Sequence, residues 1–171
     1  MGTTLLERVD GLAEVISSHV GQMEQERRLS DEVVSAIRGT GLNRTLMPAS
    51  LGGNERALLE VLEAVERIAS FHGSTGWCAA IGAGSNLFSG YVSRSVAERV
   101  FSDVDQGNAG IFGPMGQVRA NGDGLTLSGR WPFCSNSLHS AYLGVACFWY
   151  GDNEEPEPIP RYLMVPVDRV T

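Results

Sequence analysis

Lysine is absent from this sequence: all 13 basic residues are arginine, set against 20 carboxylates, and the net charge is −7. A chain this acidic lacks the electrostatic footprint needed to hold nucleic acid or an anionic membrane surface. Cysteine is scarce. The three thiols, Cys78, Cys134 and Cys147, stand singly in apolar or strand-like surroundings without a C-x-x-C pair. They read as reduced, buried thiols of a reducing compartment, not as a disulfide framework or a metal cage. His19, His72 and His139 are scattered, and no pair has metal-ligand spacing. No apolar run reaches membrane-spanning length, and the opening MGTTLLERVD has acidic residues and no long apolar core, unlike a secretory leader. There is no phosphate-cradling loop either, because the glycines of Gly82 to Ser85 fall inside a helical pattern and not after a strand. The expectation is a cytoplasmic protein with no metal, membrane or nucleic-acid partner.

What is present begins with helices. At 171 residues and 43% apolar content the chain can bury a real core, in one domain or two small ones. Leu5, Val9, Leu12, Ile16, Val20 and Met23 recur at three- and four-residue steps, the stripe of an amphipathic helix. Ser30 is placed to cap a second helix, with Asp31 and Glu32 in its first turn, Gly39 or Gly41 to close it, and Val33, Val34 and Ile37 turned inward. Leu42 to Pro48 reads as a short extended connection, and Leu51-Gly52-Gly53-Asn54 as a turn. A third helix follows with Leu58, Leu62, Val65 and Ile68 on its inner face. The fourth, near Ser74 to Tyr91, is nearly without large side chains, which permits close backbone approach and predicts a central position. Ser95-Val96-Ala97-Glu98 matches a capping box for a short helix ending near Phe101.

After Asp103 the composition changes to glycine, alternating apolar residues and turns, so the expected domains are 1–104, helical, and 105–171, β. The organising stretch is Ala109 to Asn136. Its turn, Asn121-Gly122-Asp123-Gly124, is rich in residues that tolerate positive φ, and the hairpin should bring Ile111-Phe112-Gly113-Pro114 beside Trp131-Pro132-Phe133-Cys134-Ser135-Asn136. Leu125 and Leu127 point to a strand with one buried face. Further strands are expected over Ala141 to Tyr150 and Arg161 to Val167, with an acidic, proline-rich loop over 151–160 between them. An aromatic wall beside small hydrogen-bonding groups suits a planar heterocycle. From spacing alone, the same residues also read as a β-domain core in which Trp131 and Phe133 alternate faces of a strand.

The run Ser128-Gly129-Arg130-Trp131-x-Phe133-x-Ser135, preceded by Pro-x-Gly and a glycine-rich hairpin, resembles the flavin-binding β-domain of the acyl-CoA dehydrogenase superfamily, and most closely its flavin-dependent monooxygenase branch. Gly41-Leu42 leading into Met47-Pro48-x-x-Leu51-Gly52-Gly53 and the strand Arg161-Tyr162-Leu163-Met164-Val165-Pro166 extend the resemblance over nearly the whole chain. It implies an α+β fold: an N-terminal all-helical domain and a partial antiparallel β-domain, with the family's C-terminal helical bundle absent. It implies reduced flavin, FMN or FAD, met by Phe112, Gly113 and Pro114 on the pyrimidine side and by Phe133, Cys134, Ser135 and Asn136 on the other. Ser135 would be the catalytic donor near flavin N5, with the Cys134 and Ser135 amides beside it. Ser74-Thr75-x-Trp77 resembles a family segment bordering the substrate pocket, so Trp77 and, further along, Asn86 are expected there. A separate flavin reductase, a small organic substrate and a homotetramer complete the implied picture.

Two departures qualify it. Acyl-CoA dehydrogenases typically carry Thr-Glu-Pro-Gly-x-Gly-Ser-Asp where this chain reads Phe112-Gly113-Pro114-Met115-Gly116-Gln117-Val118-Arg119, which weakens the dehydrogenase alternative. Monooxygenase relatives often place a histidine one or two turns beyond the tryptophan; here Ser85 and Asn86 stand there, and a neutral amide is no base near pH 7, so substrates other than phenols stay open. A third alternative is a truncated, non-catalytic binding or assembly module. As an N-terminal portion with one bare flavin wall, the isolated chain should bind flavin weakly and self-associate.

Overall fold

The computed structural model describes residues 3–151 and 155–171, so part of the acidic loop expected over 151–160 lies outside the described residues. The first stripe is built as two helices, α1 (Leu5–Asp10) and α2 (Ala13–Glu26), with a break at Gly11 and Leu12. Thr4 and Glu7 cap α1 reciprocally, a box that the sequence reading passed over. The stripe survives the break because Leu12 still points inward with Leu5, Val9, Ile16 and Met23. Helix α3 (Asp31–Gly39) starts as expected, the Ser30 hydroxyl accepting from the Val33 amide at 3.3 Å, and Val33 and Ile37 are buried.

The connection expected to be extended is coiled. Leu42–Arg44 forms a 3-10 turn after Gly41 at φ +73°, the Thr45 hydroxyl donates back to the Leu42 carbonyl at 2.5 Å, and Leu42 and Met47 are fully buried. The coil buries Leu42 in the helical core and Met47 against Val100 and Phe101.

Helix α4 (Leu58–Phe71) is rotated from the expected face: Val61, Ala64 and Ile68 are buried, whereas Leu58 and Leu62 are 59% and 54% exposed. Its partner sets the rotation. Helix α5 (Gly73–Asn86) packs so closely that a Cβ on Gly76 would stand 2.5 Å from the Ala69 Cβ, so α4 turns its small residues toward α5 and its leucines away. The expected central place of α5 is observed. At its other end Gly82 meets Gly107, where a Cβ would come within 2.8 Å of the Gly82 Cα. A 3-10 turn, Leu87–Tyr91, and α6 (Arg94–Val100) follow. Helix α6 begins one residue before Ser95, and Glu98 pairs with Arg94 at 2.7 Å instead of closing a box on Ser95.

Strands β1 (Ala109–Asn121), β2 (Gly124–Gly129), β3 (Tyr142–Trp149) and β4 (Arg161–Pro166) form one sheet in the order β2-β1-β3-β4. The α+β class is as expected. Within the sheet, β1–β2 and β3–β4 are antiparallel, but β1–β3 is parallel. The cause is the path after the hairpin: β2 pairs only with Gly116 to Asn121, and the chain then crosses back to begin β3 beside Ala109. The two-residue hairpin itself forms as expected, with Gly122 at φ +58°. Edge strand β2 has no buried face; Leu125 is 53% exposed.

Between Ile111 and Gly116, strand β1 bulges away from β3, so that Phe112 to Met115 stand opposite Ala146 alone. Proline is tolerated there because the ladder requires no amide from Pro114. The Ala146 carbonyl instead accepts from the Trp131 indole at 2.9 Å, and that ring lies over Gly116 and Gly129, where Cβ atoms would come within 2.2 and 2.6 Å of it. The hairpin thus pairs Gly116 to Asn121 with Gly124 to Gly129, and Trp131 folds back over Gly116; Phe112 to Pro114 stand on the bulge beyond the paired stretch.

Candidate functional site

A cleft of about 690 Å³ lies between the end of α2, the start of α5 and the loop after β2. Arg27 closes α2 in the left-handed region, φ +55°, and so directs Arg28 and Leu29 along the cleft rim. His72 is extended at the start of α5, and its Nδ1 is 2.8 Å from the Thr75 hydroxyl. One turn into α5, Trp77 leaves 60% of its surface exposed. Cys134, Ser135, Asn136 and His139 form the opposite side.

The loop carrying these residues is bent by two positive φ angles, +60° at Phe133 and +67° at Asn136. Asparagine adopts that region readily, but a bulky aromatic rarely does, and the bend leaves the Phe133 ring 95% exposed. The Ser140 hydroxyl donates to the Asn136 carbonyl at 2.7 Å and holds the bend. The Ser135 amide donates to the Phe133 carbonyl at 2.8 Å, which corrects its expected role as a donor to a ligand. The Cys134 amide has no acceptor among the described residues. The Ser135 hydroxyl accepts from the Trp77 indole N–H at 2.9 Å, joining the expected donor to the expected pocket tryptophan.

Phe112, Gly113 and Pro114 sit apart from the cleft, on the β1 bulge. Phe112 is 69% exposed and stacks on Tyr162, with ring centroids 5.3 Å apart and planes 18° from parallel; Tyr162 stacks in turn on Phe88. Tyr162 lies across β3 and β1 because Gly144 and Gly110 have no side chains there. Burial, and then the neighbouring Cys134, push the Tyr162 phenol up to about 12. It therefore stays protonated at neutral pH and is no base. Sequence reasoning missed Tyr162: only its place one residue into a β-prone run, opposite two small-residue positions, could have marked it.

Asn86 is not in the cleft. It is fully buried, and its amide donates to the carbonyls of Asn43 at 3.0 Å and Gln106 at 2.9 Å. Ser85 is similarly committed, accepting from the Asn108 amide at 3.0 Å. The expectation that Asn86 meets substrate is corrected accordingly: a buried amide at the end of α5 satisfies backbone carbonyls that no other side chain among the described residues reaches. Together with Arg38, which donates to Gln106 at 2.5 Å, and Arg44, which pairs with Asp105, these groups tie the helices to the sheet.

His139 does reach the cleft. Burial, then the charges of Arg28 and Arg38, hold its imidazole below the usual range, against an opposing effect of Asp31. Stability should be highest above about pH 6.5, where the ring is neutral folded or unfolded, and should fall as pH drops toward the folded value, because the unfolded chain takes the proton first. Thermal melts from pH 7.5 to 5 check this: His139→Gln should flatten that part of the profile, and an unchanged slope would refute it.

The groups so arranged fit a flavin. The uncovered Phe133 ring and the part of Phe112 that its stack on Tyr162 leaves exposed offer flat apolar contact; the Cys134 amide and the Ser135 hydroxyl hydrogen have no acceptors among the described residues. A tricyclic heterocycle with polar atoms on one edge needs both.

No family model matches the chain. The chain is 30% identical over 138 residues to HsaA, the oxygenase subunit of a flavin-dependent monooxygenase from Rhodococcus jostii (strain RHA1), an alignment covering 80% of this chain and 36% of that one. It is 27% identical over 166 residues to the oxygenase component of the FADH2-dependent resorcinol hydroxylase from Rhizobium sp. (strain MTP-10005), covering 96% of this chain and 40% of the relative. XiaF from Streptomyces, solved with FADH2 and glycerol, superposes on 98% of this chain with a TM-score of 0.90 and 28% identity, over 42% of its own length. The chain thus spans well under half the length of the proteins it matches.

Proposed function

Because the chain belongs to the acyl-CoA dehydrogenase-like flavin-dependent monooxygenases, we propose that it supplies the flavin-facing loop and one wall of the substrate cleft of an oxygenase that adds oxygen to a small organic molecule. The observation that carries this reading is the Ser135 hydroxyl, held at the cleft by Trp77 two residues from an uncovered Phe133 ring. Reduced flavin, when bound, supplies the electrons that activate O2. FAD is favoured over FMN, since XiaF was solved with FADH2 and the resorcinol hydroxylase depends on it. That relatives are oxygenase subunits or components supports a separate flavin reductase as partner. The uncovered Leu58, Leu59 and Leu62 on α4 support a homo-oligomer.

In this reading Phe133 and Phe112 exclude water from the faces they cover. The Cys134 amide and the Ser135 hydroxyl would donate to the flavin's polar atoms, and Gly113 and Pro114 would meet it from the β1 bulge. Asn136 keeps the loop bent, and the exposed face of Trp77 borders the substrate. Tyr162 and the thiol of Cys134, which burial raises, remain protonated and leave no anion beside the flavin.

Phe133 gives a direct test. Covering its ring with a ligand should contribute about 2 kcal/mol, so Phe133→Ala should weaken binding of reduced FAD by roughly thirtyfold. Anaerobic titration of the protein carrying this chain, followed by tryptophan fluorescence, measures the affinity. Equal affinity in wild type and variant would overturn the placement of flavin at this loop.

A further inference from the structure

We infer that Trp77 is a positioning residue for Ser135: the indole N–H, given from α5 to the serine oxygen, leaves the serine's own hydrogen as the donor turned toward the flavin. The inference rests on the flavin reading above and adds a residue to it. An indole can only donate, whereas a serine hydroxyl has one hydrogen and two lone pairs. Trp77 therefore occupies a lone pair and cannot compete for the hydrogen. That hydrogen has no acceptor among the described residues, since the contact with Trp77 is the one side-chain hydrogen bond Ser135 makes there. An isolated hydroxyl rotor samples several directions; one with a lone pair pinned at 2.9 Å has its hydrogen confined to the remaining ones.

Both ends of the contact are held. On one side, α5 is pressed onto α4 through Gly76 and Ala69, so the helix carrying Trp77 cannot shift without a backbone clash. On the other, the Ser135 amide is bound to the Phe133 carbonyl at 2.8 Å, and Asn136 is fixed in its left-handed conformation by Ser140. Packing does not account for the tryptophan's position. Tryptophan is usually well buried, yet this one is 60% exposed, and its N–H spans 58 residues of sequence to reach a hydroxyl. The arrangement makes sense where the oxygen must be fixed and the ring face kept open to the cleft.

Two measurements test this. In the chain without flavin, the 15N-labelled indole signal of Trp77 should move upfield and exchange faster with solvent in Ser135→Ala, and recover in Ser135→Thr, which keeps the hydroxyl. Trp131, bound to the Ala146 carbonyl, provides the control and should not move. In the protein carrying this chain, loaded with reduced FAD and mixed with oxygen, Trp77→Phe should raise hydrogen peroxide release by about tenfold, the equivalent of one net hydrogen bond. The double variant Trp77→Phe/Ser135→Ala should release no more than Ser135→Ala alone, because the tryptophan acts through the serine. A purely structural contact would change melting but not this pattern. An indole signal that ignores Ser135→Ala overturns the hydrogen bond and the inference with it. Faster release in Ser135→Ala but not in Trp77→Phe overturns the positioning role and leaves the flavin reading standing. If reduced FAD binds and neither variant alters release, both residues leave the chemistry and the inference is overturned while the flavin reading stands; if reduced FAD fails to bind, the flavin reading falls as well.

Discussion

Asn86→Leu should cost about 2–4 kcal/mol of stability, because it removes the side-chain donor to the Asn43 and Gln106 carbonyls and forces a larger, apolar side chain into a fully buried position. The amide is fully buried and donates at 3.0 and 2.9 Å to Asn43 and Gln106, one on the helical side of the junction and one on the segment leading into the sheet. Losing it leaves both carbonyls without a side-chain donor among the described residues. In a chain of this size the melting temperature should drop by roughly 2–4 °C for each kcal/mol lost. Urea denaturation measures the difference. The result also separates the two readings of this residue: a substrate group would change substrate affinity in a protein that melts normally, whereas a junction group lowers the melt. A normal melt for Asn86→Leu would return Asn86 to the list of substrate contacts.

Ser135→Ala should speed hydrogen peroxide release from the reduced-FAD-loaded protein by roughly ten- to a hundredfold, since a hydrogen bond lost in a dry site costs about 1–3 kcal/mol. Binding of reduced FAD should change much less, because the serine contributes one donor while the rings of Phe112 and Phe133 contribute the contact area. Stopped-flow mixing with oxygen, with peroxide trapped by a peroxidase-coupled dye, resolves the rate. Equal rates would remove Ser135 from the chemistry. A large loss of flavin affinity instead would make it a binding residue only.

The helices were legible because each buries one stripe against its neighbours, and that need is written in apolar spacing. Leu5 to Met23 kept its stripe even through a break at Gly11, and Ser30 capped α3 as its hydroxyl predicts. The hairpin at Asn121 to Gly124 was legible for a similarly local reason, a glycine able to take positive φ. The small-residue run of α5 also announced its own close packing, at Gly76 against Ala69 and at Gly82 against Gly107. Where a partner chose among possible faces, spacing failed. Leu58 and Leu62 of α4 and Leu125 of β2 were expected inward and stand exposed, because their surroundings and not their period settle which side is covered.

The amino-acid sequence by itself determined the order of helices before strands, the caps and turns, and the Trp131 to Asn136 run that carries the resemblance, since each depends on residues near one another in the chain. Only the tertiary structure decided which of those residues meet. It joined Trp77 to Ser135 across 58 residues, withdrew Asn86 into the junction, set Phe112 on Tyr162 and made β3 parallel to β1. The physical reason is that a hydrogen bond or a stacked ring pair acts over a few ångströms in space, and the path bringing its two partners that close is set by the packing of everything between them.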